Sequence, residues 1–286
     1  MRIKRILISI WNEFIYGGHL LSIGAAGIVC LVMILLEKWP DWQILLIAYL
    51  ISQIVYSHDH FKKLEIDLIT NLERVRHLQK FIKYFPLIFL SYIIVLLILL
   101  FFFANIKTFF FILFLMIGGI LFTTYFKRLT KKISGFKSFY TTIFWTTGIF
   151  LPLFYYSFFP NLFFILLILF FFYLRFFIGT SFSDIKDMEV DTKEGLLTLA
   201  VVLGKEKLIN LLKCLNLLTA IPIIIGVHYN FFPVYSLMLV FSIPYSFYYL
   251  KKAEEKNVNT AFLYNVIVDG EIIVWLFFII IGKALL

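Results

Sequence analysis

The chain has 286 residues, of which 62% are hydrophobic and only 15% charged, and its mean hydropathy is +0.96. A soluble domain carries about 25% charged residues, so nucleic-acid-binding, cytosolic-enzyme and disordered classes are excluded together, and the net charge of +9 needs a membrane explanation. Thirty-six Phe and sixteen Tyr exceed what interfacial belts use, which places rings along the spans as well. Cys30 and Cys214 both lie in apolar stretches and support neither a disulfide framework nor a metal site.

In chain order, the first 14 residues, MRIKRILISIWNEF, read as an interfacial amphipathic helix. A signal peptide fits less well, because the apolar part is short, is interrupted by Asn12 and Glu13, and lacks a small-residue cleavage site. Runs free of Asp, Glu, Lys and Arg then follow at 15–36, 42–58, 84–106, 108–126, 138–174, 214–250 and 257–268, the last continuing past Asp269 and Glu271 to Gly282. A helix needs about 20 apolar residues to cross the hydrocarbon core. The two double-length runs are interrupted, one at Pro152, Pro160 and Asn161, the other from His228 to Pro233, so each predicts two helices joined by a turn. The sum is an all-α, polytopic membrane protein of nine transmembrane helices around a central cavity.

Basic residues near span ends concentrate on the cytoplasmic side. With the N-terminus cytoplasmic, all of the 26 Lys and Arg except Lys38, Lys107 and Lys283 fall inside, Arg175 and Lys137 among them. The expected location is a cell membrane, with a prokaryotic plasma membrane favoured. No hydrophilic stretch reaches domain size, so residues 1–286 form one transmembrane domain, and its chemistry sits on the stretches 59–83 and 184–213 or between the spans.

The second stretch carries Asp184, Asp187 and Asp191 at i, i+3 and i+7, within about 60° of one helix face. Like charges crowded at a span end repel, a cost that makes sense if cations sit between them. Mg2+ suits such a place: it takes oxygen ligands and is held by one or two carboxylates plus substrate phosphates. A solvated acidic loop is the bland alternative. In the first stretch Asp59, Lys63 and Asp67 also share a face, at i, i+4 and i+8. Four spans separate the two stretches, which puts both on one side of the membrane. Acidic walls with basic Arg74, Lys131 and Lys132 nearby and apolar spans beneath suit a diphosphate head on a hydrocarbon tail.

The segment DIKDMEVDTKEGLLTLAVVLG closely resembles the second aspartate motif of the UbiA superfamily of intramembrane prenyltransferases, roughly DxxDxxxDxxxGxxTLxxxxG. Asp184, Asp187, Asp191, Gly195, Thr198, Leu199 and Gly204 satisfy it. Where that family has NDxxDxxxD after span two, this chain reads DHFKKLEID: Asp59 replaces the Asn, His60 and Lys63 replace the first two aspartates, and Asp67 is kept. LITNLERV resembles the family's INKPDRP, keeping Arg74 but neither proline, and YFKRLTKKISGF resembles its segment before span five.

The resemblance implies nine spans and transfer of a polyprenyl group from a prenyl diphosphate to an aromatic or lipid acceptor. It implies Mg2+ held by Asp184, Asp187, Asp191, Asp59 and Asp67, with Arg74, Lys131 and Lys132 on the diphosphate. Lys63 is the exception, a fixed cation standing where the family has a carboxylate. Partners are then the prenyl diphosphate, the acceptor and the lipid bilayer, with no nucleic acid and no evident protein partner. An intramembrane terpene cyclase and an inactive relative that keeps the fold are alternatives within the family. A secondary transporter also fits nine apolar spans, although transporters place their sites near the bilayer midplane and these acidic clusters lie at span ends. Inside span nine, Asp269 and Glu271 read either as acceptor contacts or as partners of a basic residue such as Arg175. The five histidines lack metal-ligand spacing and read as interfacial or capping residues.

Overall fold

A computed structural model describes residues 2–62, 64, 68, 71–255 and 262–285, which form helices and turns and, among these residues, no strand. In chain order the helices are α1 (Arg2–Tyr16), α2 (His19–Leu35), α3 (Trp42–Lys62), α4 (Leu72–Leu78), α5 (Phe85–Phe103), α6 (Ile106–Thr124), α7 (Phe136–Thr147), α8 (Phe150–Tyr155), α9 (Leu162–Lys193), α10 (Leu199–Leu203), α11 (Lys205–Leu218), α12 (Ala220–His228), α13 (Ser242–Lys252) and α14 (Glu271–Leu285). Short 3-10 segments at Phe126–Lys131 and Val234–Phe241 and a π-helical turn at Leu263–Val268 complete them.

Among the described residues, five helices are long and apolar enough to cross a bilayer by themselves: Phe85–Phe103, Ile106–Thr124, Leu162–Lys193, Lys205–His228 and Leu263–Leu285. Ile6–Tyr16 with His19–Leu35 passes the same test as a pair bent by 57°. The bend is at Gly18, whose φ of 84° belongs to the left-handed region that glycine tolerates. The double-length runs break where the interruptions lie. Ser157 at φ 49° and Asn161, whose side chain accepts from Phe163 N, separate α8 from α9, and Asn230 at φ 58° marks the turn after α12.

The helices form a ring. α2 packs on α3, α3 on α5 and α6, α7 on α9, α9 on α11 and α12, and α14 returns to α2. Small residues permit that closure: a Cβ at Gly24 of α2 would stand 3.1 Å from Ile272 of α14. Apolar clusters fill the wall, one around Phe171, Phe172 and Trp275, another around Ile44, Ile54 and Ile112. Leu87, Phe101, Phe102 and Phe110 point outward and are exposed, as lipid-facing residues of apolar helices are.

One sequence expectation is corrected. Arg175 does not lie in a cytoplasmic loop; it sits within the 32-residue α9, 1% exposed. A charge there is tolerated because both terminal guanidinium nitrogens are paired, although the buried Nε has no hydrogen-bond partner among the described residues. Arg175 pairs with Glu271 and Ser246, donates to Asn216 Oδ1 at 2.6 Å and Ser242 O at 3.2 Å, and lies 5.4 Å from the Trp275 ring. Glu271 in turn accepts from Ser246 at 2.9 Å, Tyr249 at 3.1 Å and Trp275 at 3.3 Å. This network ties α9, α11, α13 and α14 together inside the ring.

Candidate active site

A cavity of about 390 Å³ opens inside the ring. Asp59, His60, Arg74, Lys127, Lys137 and the three motif aspartates line one end, and Ile28, Val29, Leu115, Leu151 and Ile272 line the rest, with Tyr56, Tyr140, Phe144, Trp145 and Phe176 along the walls.

The acidic side is built by helix continuity and a loop clamp. α9 runs unbroken from its apolar half into Asp184, Asp187 and Asp191, so the three carboxylates project from one face as their spacing predicts. After it, Gly195 at φ 68° and Gly204 at φ 78° make turns that only a residue without Cβ adopts cheaply, and Thr198 caps α10 by accepting from Val201 N. Leu197 N donates to Thr130 O at 2.9 Å and Gly135 N donates to Leu197 O at 2.7 Å, while Lys127 pairs with Glu194 at 3.1 Å. These contacts pin the start of α7 against α9.

That docking delivers Lys137. Its ammonium lies 2.7 Å from Asp184, 3.6 Å from Asp191 and 3.9 Å from Asp187, and Ser138 Oγ donates to Asp184 Oδ2 at 2.7 Å. Asp191 Oδ2 is buried and has no hydrogen-bond partner among the described residues. Burial disfavours the charged Lys137, but the carboxylates of Asp184, Asp191 and Asp187 outweigh it and hold its pKa well above the usual lysine range. The motif therefore converges on a cation position, and an ammonium fills it. No group of three or more His, Cys, Asp or Glu side chains among the described residues is arranged as a metal cage. Carboxylates converging on one point, with an orphaned buried oxygen, are nonetheless the donor chemistry Mg2+ takes when substrate phosphates complete its shell.

On the opposite wall, Asp59 and His60 come from the end of α3 and Arg74 from α4. Asn71 caps α4 by accepting from Arg74 N, and its Nδ2 donates to Asn265 on the π-helical turn at 3.3 Å. Arg74 Nη1 is 3.3 Å from His60 Nε2. Lys63 and Asp67 lie outside the described residues.

The structure thus brings Asp184, Asp187, Asp191, Asp59 and Arg74 to one cavity. Asp269 lines it too, at the turn where the π-helical segment meets α14, and so does Glu271, which takes the alternative role of partnering Arg175. Lys131 and Lys132 are exposed and are not among the lining residues; the basic residues of that segment that reach the cavity are Lys127 and Lys137. The family resemblance of YFKRLTKKISGF points to Lys131 and Lys132, but Gly135, at φ 71°, reverses the chain ahead of Lys137, which lines the cavity. His60 was read as interfacial or capping and instead faces the cavity beside Arg74. Only its place in the first motif, where a family aspartate stands, signalled this.

The UbiA prenyltransferase family model matches residues 80–267. The chain belongs to the UbiA prenyltransferase family. Among solved structures, a UbiA homologue from Archaeoglobus fulgidus bound to GPP and Mg2+ superimposes with a TM-score of 0.66 at 15% identity, covering 96% of this chain and 98% of that one. A UbiA homologue from Aeropyrum pernix K1 in its apo form gives 0.58 at 12% identity over 89% and 96%, and a digeranylgeranylglyceryl phosphate synthase gives 0.59 at 17% over 97% and 99%. These likenesses establish the UbiA fold, and with the apolar helices they describe a multi-pass membrane protein. No curated protein matches the sequence.

Proposed function

We propose that this UbiA family member is a Mg2+-dependent prenyltransferase that moves a polyprenyl group from a prenyl diphosphate to an aromatic or lipid acceptor. One observation carries the reading: a single cavity with three converging aspartates and basic side chains at one end and apolar and aromatic walls beyond, shaped for a diphosphate head and an isoprenoid tail. The Archaeoglobus homologue of the same fold, which binds GPP and Mg2+, and a second structure described as bound to DMAPP and Mg2+, support the substrate class and the ion.

In this reading nine spans cross a prokaryotic plasma membrane with the N-terminus cytoplasmic, and residues 1–286 act as one domain. Asp184, Asp187 and Asp191 on one wall and Asp59 and Asp67 on the other would hold Mg2+. When bound, Mg2+ supplies charge neutralisation that weakens the allylic C–O bond. Arg74 faces the diphosphate, and Lys127 and Lys137 do so in place of the expected Lys131 and Lys132, while Lys63, outside the described residues, is proposed as a further fixed cation. As the C–O bond breaks, its electron pair leaves with the diphosphate and positive charge develops at C1. Tyr56, Tyr140, Phe144 and Trp145 line the cavity, and their rings would stabilise that charge. The acceptor forms the new bond to C1 and gives up one proton to the departing diphosphate, and Asp269 on the cavity wall contacts the acceptor. Apolar lining excludes water that would otherwise capture the cation.

A second reading, an inactive relative, is favoured by His60 and Lys63 standing where the family has aspartates. One experiment separates them: purified protein in lipid nanodiscs is given geranylgeranyl diphosphate and a panel of acceptors with Mg2+ or EDTA. Mg2+-dependent diphosphate release and a prenylated product support the transferase, whereas substrate binding without release supports the inactive relative.

A further inference from the structure

Arg74 is carried by α4, a helix of only seven residues, and the element α4 packs against extensively, among the described residues, is the N-terminal helix α1. The contact is polar and specific. Tyr16 Oη donates to Glu73 Oε2 at 2.5 Å, one residue from Arg74, and His77 Nε2 donates to Glu13 Oε2 at 2.6 Å, one turn further on. Glu13 Oε1 is 3.3 Å from His19 Nε2, and His19 Nδ1 is 2.5 Å from Tyr49 of α3. Below the α1–α2 bend, Gln53 of α3 donates to Gly17 O at 2.7 Å and accepts from Ser22 at 2.7 Å. His77 is 3% exposed, while the Glu13 side chain is 45% exposed, so the contact is shielded on the His77 side only.

These bonds form a closed circuit: α3 holds the bend, the bend sets α1, α1 holds α4, and Arg74 on α4 returns to His60 at the end of α3. We propose that Glu13 and Tyr16 of the N-terminal helix are positioning residues that hold Arg74 on the diphosphate end of the cavity. Neither side chain lines the cavity, so each acts through α4. The proposal rests on the reading of Arg74 as a diphosphate contact. It gives the amphipathic N-terminal segment a role in substrate affinity.

The test is a double-mutant cycle on geranyl diphosphate affinity, using full-length protein in nanodiscs, with geraniol as an uncharged control. Glu13→Gln and, separately, Tyr16→Phe should each weaken geranyl diphosphate binding by about three- to tenfold, the size expected for losing one shielded or charge-assisted hydrogen bond, and leave geraniol binding unchanged. Arg74→Ala should weaken it more, and adding Glu13→Gln or Tyr16→Phe to Arg74→Ala should cost nothing further, because the side chain they position is gone. Effects of α1 substitutions that persist undiminished in the Arg74→Ala background, or that weaken geraniol equally, overturn the proposal while leaving the prenyl-diphosphate reading intact. An Arg74→Ala variant that binds as wild type overturns it by removing Arg74 from the diphosphate site. Tyr16→Phe removes only a hydroxyl, which keeps the cycle interpretable if Glu13→Gln folds poorly.

Discussion

Replacing Lys137 with methionine keeps most of the unbranched apolar stem and removes the only cation in an ion pair with Asp184 and Asp191 among the described residues. Lys137 is 19% exposed and those two aspartates 3% and 4%, so solvent screening does not reduce the interaction to the small value of a surface pair. At about 3 Å and an effective dielectric of about 20, one such contact is worth roughly 5 kcal/mol of Coulomb energy before desolvation. Breaking a buried pair while leaving its partner charged costs about 3–5 kcal/mol net. Lys137→Met should therefore lower stability by about that amount in EDTA. Because the pKa of Lys137 is raised in the fold, the contribution is complete below about pH 10 and lost only as pH rises through the folded value. Added Mg2+ should restore much of the deficit, since a ligand at 100 times its dissociation constant returns about 2.7 kcal/mol. Wild type should respond less, because Lys137 already offsets one of the three carboxylate charges. Unfolding of both proteins and of Lys137→Arg in detergent, in EDTA and over a Mg2+ series, reads this directly. Equal unfolding midpoints for wild type and Lys137→Met in EDTA would refute the reasoning.

Asp187→Asn should fold as wild type does and lose Mg2+-dependent geranylgeranyl diphosphate binding, measured by titration calorimetry, because it removes one donor from a small ligand set. Glu271→Gln should destabilise by about 3–5 kcal/mol, seen as an earlier unfolding midpoint, because it strands the buried Arg175 guanidinium. Lys63→Ala should weaken prenyl diphosphate binding and Lys63→Asp should raise its Mg2+ requirement; affinities of both variants matching wild type across Mg2+ concentrations would exclude a direct role for Lys63.

The all-helical character and the shared face of the three motif aspartates were legible because each rests on local chemistry, whereas five helices, or six with the bent pair, pass as spans among the described residues against the nine expected. Apolar runs report helices, proline and asparagine report their breaks, and the i, i+3, i+7 spacing of Asp184, Asp187 and Asp191 reports one helix face. Gly195 and Gly204 carry positive-φ conformations that glycine makes cheap, and Thr198 supplies the side-chain oxygen that caps α10. What escaped was tertiary. Arg175 looked like a loop residue because it follows a charge-free run, and only packing shows Glu271, 96 positions later, beside it. Lys137 was indistinguishable from Lys131 and Lys132 by charge and spacing. It became special through the hydrogen bonds of Gly135 and Thr130 to Leu197, contacts between segments more than 60 residues apart. The link from Glu13 to Arg74 was equally invisible, since no periodicity relates α1 to α4.

The most direct test of the proposed chemistry is inorganic diphosphate release from geranyl diphosphate by the purified wild-type protein in lipid, with Mg2+ and in EDTA, alongside Asp184→Asn. Release that requires Mg2+ and is lost in Asp184→Asn is the predicted result. Binding of geranyl diphosphate with no Mg2+-dependent release under any acceptor condition would contradict a prenyltransferase and leave a family member that has kept the fold without the reaction.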